Sequence, residues 1–335
     1  MKRKLKFYWV DDDSSRQSRI NSINNYRVKG GVPRANVSFI EAAGKKLDEI
    51  INEILRLPEP DLLLIDHFLN LRYQTGSPGI SKGSTVAQII RASWPSCPVI
   101  GITAAEKRSL IKWQGESVYD ALYVVDSLRK NYSALFIAAY YFNVLKRSKP
   151  KNKEEIVRLL GVPDDDKQQL LSIMPDFLLQ SDIGQVHRIF AWIKFELMDR
   201  AGFLLNKLWV ATMLGIKEES MYKVERLFQS AVYKGLFSDS EDVRWWSSKV
   251  KRLLFAKVTA PQSRSTWELG HKLPRINSRD FSRCYKCEEK YPEIVAFTDK
   301  KRSTLKPMHL KCTYSDPSDK RKLYFQEYRI MKRGK

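Results

Sequence analysis

The chain has 335 residues, 43% of them hydrophobic and 11% aromatic, and a formal net charge of +21. That length and apolar content suit two or three domains with their own cores and exclude a disordered protein. The longest apolar stretch, AGFLLNKLWVATMLGI, is broken by Asn206 and Lys207 and is too short for a membrane span, and four cysteines do not make a disulfide scaffold, so a soluble protein of the reducing cytoplasm is expected.

The chain opens on a basic MKRKLK followed by a run of strand length, LKFYWV, that ends in Asp11, Asp12 and Asp13. Four apolar residues before an acidic cluster do not resemble a secretion signal. SRQSRINSINNYRV reads as a helix and NVSFIEAA as a second strand. KKLDEIINEILRL is an amphipathic helix with Leu47, Ile50, Ile51, Ile54 and Leu55 on one face. DLLLID is a third, buried strand, and a long loop, NLRYQTGSPGISKG, is expected after it. STVAQIIRAS forms a helix capped by Ser84 or Thr85. CPVIGITA and ALYVVDS are the fourth and fifth strands, flanking a short helix near Lys107–Gln114, and SALFIAAYYFNVLKR is a closing helix. Strands alternating with helices predict an α/β fold: a doubly wound, five-stranded parallel sheet over residues 1–146, covered on both faces.

A charged linker is expected at 147–155 and a mostly helical domain at 156–258. Within it, Ile183, Val186, Ile189, Phe190, Ile193 and Leu197 predict one helix, KEESMYKVERLFQSAVYKGLF another, and RWWSSKVKRLLF a third. A second linker covers 259–280 and a small metal-stabilised α+β end covers 281–335. From His271 onward, 18 Lys and Arg face 8 Asp and Glu. That excess points to nucleic acid as a partner, with a solubilising basic surface as the plain alternative.

In a doubly wound parallel sheet, ligands sit beyond the carboxyl ends of the strands. Asp11, Asp12 and Asp13 end the first strand, Asp66 the third and Thr103 the fourth, so all five are expected at one edge. Clustered carboxylates there call for a hard cation such as Mg²⁺. Val10-Asp11-Asp12, Asp66 in LLLIDHFLN and Thr103-Ala104 in PVIGITAAE resemble, in order and spacing, the receiver domain of two-component response regulators. The resemblance covers about residues 5–146. It implies Asp66 as phosphoacceptor, Mg²⁺ held by Asp11, Asp12, Asp66 and a backbone carbonyl near Phe68, and Thr103 as the hydroxyl that senses the phosphoryl group. It also implies a histidine kinase or another signalling protein as partner.

Two positions depart from that family. Asp126 in YVVDSL stands where a lysine is expected, and a carboxylate there repels a phosphoryl dianion. Lys130 lies one helical turn onward as a substitute cation. The loop after Asp66 is also longer than the family's. A phosphorylatable receiver and an unphosphorylated, receiver-shaped module therefore both stay open. Asp11-x-Asp13-x-Ser15 also resembles the haloacid dehalogenase-like phosphatases, whose late paired acids have no counterpart here.

Cys284-x2-Cys287 and His309-x2-Cys312 are two close pairs of metal ligands, the donor set for a structural Zn²⁺ in a ribbon or treble-clef segment. Cys97 in WPSCPVI is expected in a core, and His67, His187 and His271 are expected to be structural or solvated. Nucleic-acid contacts are expected from Lys300, Lys301, Arg302, Lys306, Lys320, Arg321, Lys322 and Arg329, with Tyr324, Phe325 and Tyr328 interleaved as stacking residues. Trp245 and Trp246 read as core more readily than as base platforms. LYFQEYRI reads equally as a strand. The function expected is a receiver or pseudo-receiver controlling a basic nucleic-acid-binding output. The alternative is a protein–protein adaptor, and receiver-like modules of unusual architecture also occur in prokaryotic defence systems.

Overall fold

The computed structural model describes residues 3–28, 32–72, 78–104, 118–180, 184–238, 242–258, 265–302, 304–319 and 324–332. The chain forms two compact units. The first comprises residues 1–151, 176–191 and 239–241, and the second 152–175, 192–238 and 242–335.

In the first unit, strands β1 (Leu5–Asp11), β2 (Ala35–Glu41), β3 (Leu62–Asp66), β6 (Val99–Thr103) and β7 (Ala121–Val124) form one parallel sheet in the order β2-β1-β3-β6-β7. The five-stranded doubly wound sheet expected from the sequence is present. Its two-faced burial follows from the period of two along a strand. Phe7, Trp9, Leu62, Leu64, Ile100 and Ile102 pack on one face, beside Ile20 and Ile23 of α1 (Gln17–Asn25) and Leu135 and Phe136 of α4 (Tyr132–Ser148). Tyr8, Val10, Leu63, Ile65 and Val99 pack on the other, beside Ile50 and Ile54 of α2 (Leu47–Arg56) and Val86, Ala87 and Ile90 of α3 (Gly83–Ser93). Cys97 is buried in this second core, as expected. Gly101 matters because a Cβ there would lie 2.6 Å from the side chain of Leu122 on the neighbouring strand.

Two local expectations are corrected here. The segment after Asp66 is a β-hairpin, with β4 (Phe68–Arg72) antiparallel to β5 (Pro78–Lys82), rather than a loop. LNLR alternates too briefly, and Pro78 and Gly79 at the start of β5 are poor strand formers that hide the pairing. Helix α3 begins at Gly83, so Ser84 and Thr85 lie in its first turn and do not cap it. The helix expected near Lys107–Gln114 and residue Ile183 lie outside the described residues.

The first unit also includes the helix Gln185–Ala191, where Phe190 meets Phe142 of α4 at 4.7 Å between ring centroids. His187 is held by Asp120 (Nδ1 to Oδ1, 2.8 Å) and by the carbonyl of Pro95 (Nε2 to O, 2.8 Å). Arg91 donates to the same carboxylate at 2.8 Å, as does the backbone N–H of Val99. His187 is therefore structural, as expected.

In the second unit, the apolar register continues past Ala191, but a π-helix, Trp192–Met198, replaces the regular helix. KEESMYKVERLFQSAVYKGLF is two 3₁₀ stretches, Glu218–Lys223 and Glu225–Ala231, with Phe228 outside helical geometry. Met221, Val224, Phe228 and Ala231 of that segment pack in the core, with Leu227 and Val232 against it, and packing overrides the helical period. Trp245 and Trp246 pair as a short strand with Leu204–Leu205 and are buried, so they are core and cannot serve as base platforms. The end of the chain forms a four-stranded sheet of Ile294–Phe297, Leu305–Met308, Thr313–Ser315 and Arg329–Met331. Among the described residues of LYFQEYRI, only Arg329 and Ile330 are in a strand, and Tyr324 takes a left-handed φ of 64°.

Candidate functional site

Two groups of metal-ligating side chains stand out, one in each unit. In the first, Asp11, Asp12 and Asp66 each bring a carboxylate oxygen to within 4.8 Å of the others at the carboxyl edge of the sheet. The opening triplet of acids splits into three tasks. Asp11 is fully buried: Oδ1 accepts the Asp13 N–H at 2.9 Å, and Oδ2 accepts from Trp9 Nε1 at 3.0 Å and Arg16 Nε at 3.2 Å. Asp12 accepts the backbone N–H of Asn70, on the β4–β5 hairpin, at 3.0 Å. Asp13 caps the turn Ser14–Arg16 by accepting the Ser15 N–H at 2.9 Å, and it also pairs with Arg16 at 3.4 Å. Three adjacent carboxylates are tolerable because each accepts from a different backbone N–H and Arg16 pairs with two of them.

Asp66 accepts the Phe68 N–H at 3.0 Å. Burial, then the nearby charges of Asp11 and Asp12, push its carboxyl up to about 7, although the Phe68 N–H opposes them. Burial likewise holds Asp11 above the usual carboxylate range, against the Asp13 N–H and Arg16. Gly83 fixes the backbone here, since a Cβ would come 1.9 Å from the Asp66 carbonyl oxygen. Thr103 is buried one residue past Ile102, the register partner of Asp66. This donor set of oxygens, under-compensated and partly open to water at Asp12, fits a hard divalent cation.

Asp126 stands elsewhere than expected. Its side chain is 84% exposed and pairs with Arg19 at 3.1 Å, and the three carboxylates that converge do not include it. Arg19 also donates to the Val125 carbonyl. Lys130 is exposed. Among the described residues, the cation paired with these acids is Arg16, with a side chain 13% exposed, which the sequence reading missed. Its place five residues after Asp11, inside the first helical turn, is the signal that could have found it.

In the second unit, Cys284, Cys287, His309 and Cys312 bring their ligand atoms to within 4.8 Å of one another, as the paired spacing expects. Cys287 Sγ and His309 Nδ1 are 3.1 Å apart. His309 Nε2 lies 2.9 Å from the Lys290 carbonyl, which takes a proton on that nitrogen and leaves Nδ1 for a metal. Burial works against the Cys284 thiolate, but the N–H groups of Cys287, His309 and Lys286 outweigh it and hold the thiol at about 7. Cys312 is pushed up to about 11, first by burial and then by the neighbouring sulfurs of Cys287 and Cys284. Two thiols pulled apart in this way are relieved together by one cation. A Cys₃His group of this kind can hold a metal ion.

The basic candidates divide. Lys300 and Lys301 are exposed, and Lys306 lies over the Tyr285 ring at 5.7 Å. Arg302 is held by Asp316 at 2.8 Å and stacks on Tyr328, and Arg329 is held by Glu327 and Thr313. Phe325 is buried, and Tyr328 lies between the Arg200 and Arg302 guanidinium groups. Lys320, Arg321 and Lys322 lie outside the described residues.

No family model matches the sequence, and no curated protein does. Among solved structures, the chain is similar to the signal receiver domain of an HD domain-containing protein from Pseudomonas fluorescens Pf-5, at 17% identity over 44% of this chain and 95% of that one, with a TM-score of 0.32. A CheY-like response regulator receiver domain protein from Methanospirillum hungatei JF-1 gives 16% identity over 41% and 97%, with a TM-score of 0.28. A phosphorylated cyanobacterial phytochrome response regulator gives 16% over 44% and 97%, also at 0.28. No helix among the described residues is long and apolar enough to cross a membrane.

Proposed function

We propose that this chain is a signalling protein whose receiver-like unit controls a basic, zinc-held, nucleic-acid-binding end. The observation that carries the reading is the meeting of Asp11, Asp12 and Asp66 at the carboxyl edge of a parallel sheet, with buried Thr103 on the next strand. In this reading Asp11, Asp12 and Asp66 hold Mg²⁺, which offsets charge on the phosphoryl oxygens when bound. Asp66 accepts the group from a histidine kinase or a small phosphodonor, and Thr103 senses it. Zn²⁺ on Cys284, Cys287, His309 and Cys312 staples a segment whose own core is a handful of residues. Lys300, Lys301 and Lys306 are the described basic residues that face a polyanion.

One observation favours the adaptor as a second reading. Arg16 already neutralises part of the acidic pocket, and the position of the family's lysine is an exposed aspartate. Labelling with acetyl phosphate and Mg²⁺ separates the two. Phosphorylation of wild type is expected to be slow, and Asp126→Lys is expected to speed it. Rapid labelling of wild type at Asp66 would refute the pseudo-receiver form, and failure of both proteins to label would favour the adaptor.

A further inference from the structure

The second unit contains a cleft of about 610 Å³ that neither metal group explains. Its walls include Trp209, Met213 and Trp267, with Tyr324 at one side and Lys251 and Glu293 as its charged groups. Trp209 and Trp267 are half-buried, whereas Tyr324 is 44% exposed. The volume lies within the range of built ligand sites, and the chemistry is that of aromatic walls with a few polar groups.

The cleft is held open by a specific framework. Trp267 rests on Tyr291, with centroids 4.4 Å apart and planes at 23°, so one face of the indole is already packed. Tyr291 in turn meets His271, which stacks on Phe281 at 3.7 Å. The ladder of rings fixes Trp267 as a rigid wall. Tyr324 is fixed from the other side: a Cβ on Gly202 would come 2.6 Å from the Tyr324 carbonyl, so only glycine lets that backbone approach. Both Tyr291 and Tyr324 are bulky residues at positive φ, 68° and 64°. Such conformations cost free energy, and here one sets the Tyr291 ring behind Trp267 and the other places Tyr324 at the cavity wall.

Flat walls bind flat ligands. We infer that this cleft stacks a base of single-stranded nucleic acid, with the phosphate backbone passing Lys251 and with Glu293 accepting from an exocyclic amino group. The net charge of +21, and the excess of cations after His271, favour a polyanion over a neutral aromatic ligand. A duplex cannot supply a splayed base without unpairing, so the cleft selects single strands. The inference rests on the nucleic-acid reading above and names its subsite.

The test uses full-length protein and fluorescence anisotropy with a fluorescein-labelled deoxyadenosine 12-mer, compared with the same strand annealed to its complement. Tyr324→Ala is expected to weaken single-strand binding by roughly tenfold or more and to leave duplex binding within about twofold. Lys251→Gln, at an exposed position, is expected to weaken it several-fold and to flatten its salt dependence. Adenosine 5′-monophosphate is expected to compete with the single strand on wild type and to lose that effect on Tyr324→Ala. Circular dichroism melts check that both variants fold. Single-strand binding unchanged in both variants would overturn the cleft and leave the nucleic-acid reading standing. Binding of duplex alone would do the same. Binding of neither probe by wild type would overturn the reading and the cleft together.

Discussion

Asp66→Asn is expected to stabilise the metal-free protein at pH 8. In the native state the Asp66 carboxyl is held at about 7 by burial and by the charges of Asp11 and Asp12, against an ordinary 3.8. An acid whose folded pKa is raised gives a stability that is full below the unfolded pKa and is lost as pH rises through the folded one. The window is therefore about pH 4 to 7. A shift of this size converts to about 4 kcal/mol at most at pH 8, and water at the strand ends reduces the observable to about 2 kcal/mol. Asparagine keeps an acceptor for the Phe68 N–H and carries no charge. For a unit of this size, that gain raises the melting temperature by roughly 4–8 °C. Melts in EDTA at pH 5 and pH 8 are the assay, with the larger difference expected at pH 8. Saturating Mg²⁺ is expected to shrink the difference, because the ion binds the wild-type carboxylates and stabilises them by mass action. An Asp66→Asn protein no more stable than wild type at pH 8 in EDTA would refute the claim that these carboxylates share an under-compensated pocket.

Three further outcomes follow from the same structure. Metal analysis is expected to find one zinc per chain, and Cys287→Ser or a strong chelator is expected to unfold the segment around 284–332 while far-UV signal from the parallel sheet persists; a fully folded metal-free protein would contradict this. Gly83→Ala is expected to cost about 1–3 kcal/mol or more in denaturant melts, because its Cβ would press on the Asp66 carbonyl rather than on a flexible side chain. Buried Asp120 is held below the usual carboxylate range: burial opposes its charge, but His187, Arg91 and the Val99 N–H outweigh it. Its stabilisation is therefore present above the unfolded carboxylate pKa and lost as pH falls through the lower folded value. His187→Ala is expected to remove about 2–4 kcal/mol at pH 7, and equal stability of the two proteins at that pH would count against the cluster.

The parallel sheet was legible because each strand is a short apolar run between polar breaks, and its alternation sorts side chains onto two covered faces. Asp11, Asp12 and Asp66 were legible for the same reason: strand ends in a doubly wound sheet share an edge. The hairpin after Asp66 was not, because LNLR is four residues long and its partner strand opens on Pro78 and Gly79, which disfavour strands. The two 3₁₀ stretches at 218–231 read as a helix because their apolar spacing is helical; tertiary packing of Met221, Val224 and Phe228 decided otherwise. The meeting of Cys284, Cys287, His309 and Cys312 in the second unit was readable from spacing alone. The aromatic cleft was not, because Trp209, Trp267 and Tyr324 are far apart in sequence and follow no period.

Charge at the sheet edge decides what the pocket can do. Counting Asp126 among the pocket acids would leave four carboxylates against a distant lysine, an arrangement that resists any anion. The structure removes one acid and adds one cation: Asp126 turns to Arg19 in solvent, and Arg16 turns inward to Asp11 and Asp13. Asp11 is also shared among Trp9, Asp13 and Arg16, so Asp12 and Asp66 are the less compensated of the three acids. A divalent cation there faces two carboxylates whose charge is largely unanswered, which favours binding. An incoming phosphoryl group would meet that cation and, among the residues described, the Arg16 guanidinium as the nearest fixed positive charge. Because Arg16 is tied to Asp11, it can turn toward a phosphoryl oxygen only by giving up a buried ion pair, and the ionised Asp11 would then be left to the metal. In the proposed reading, phosphorylation and metal binding at this edge would therefore be coupled through one arginine.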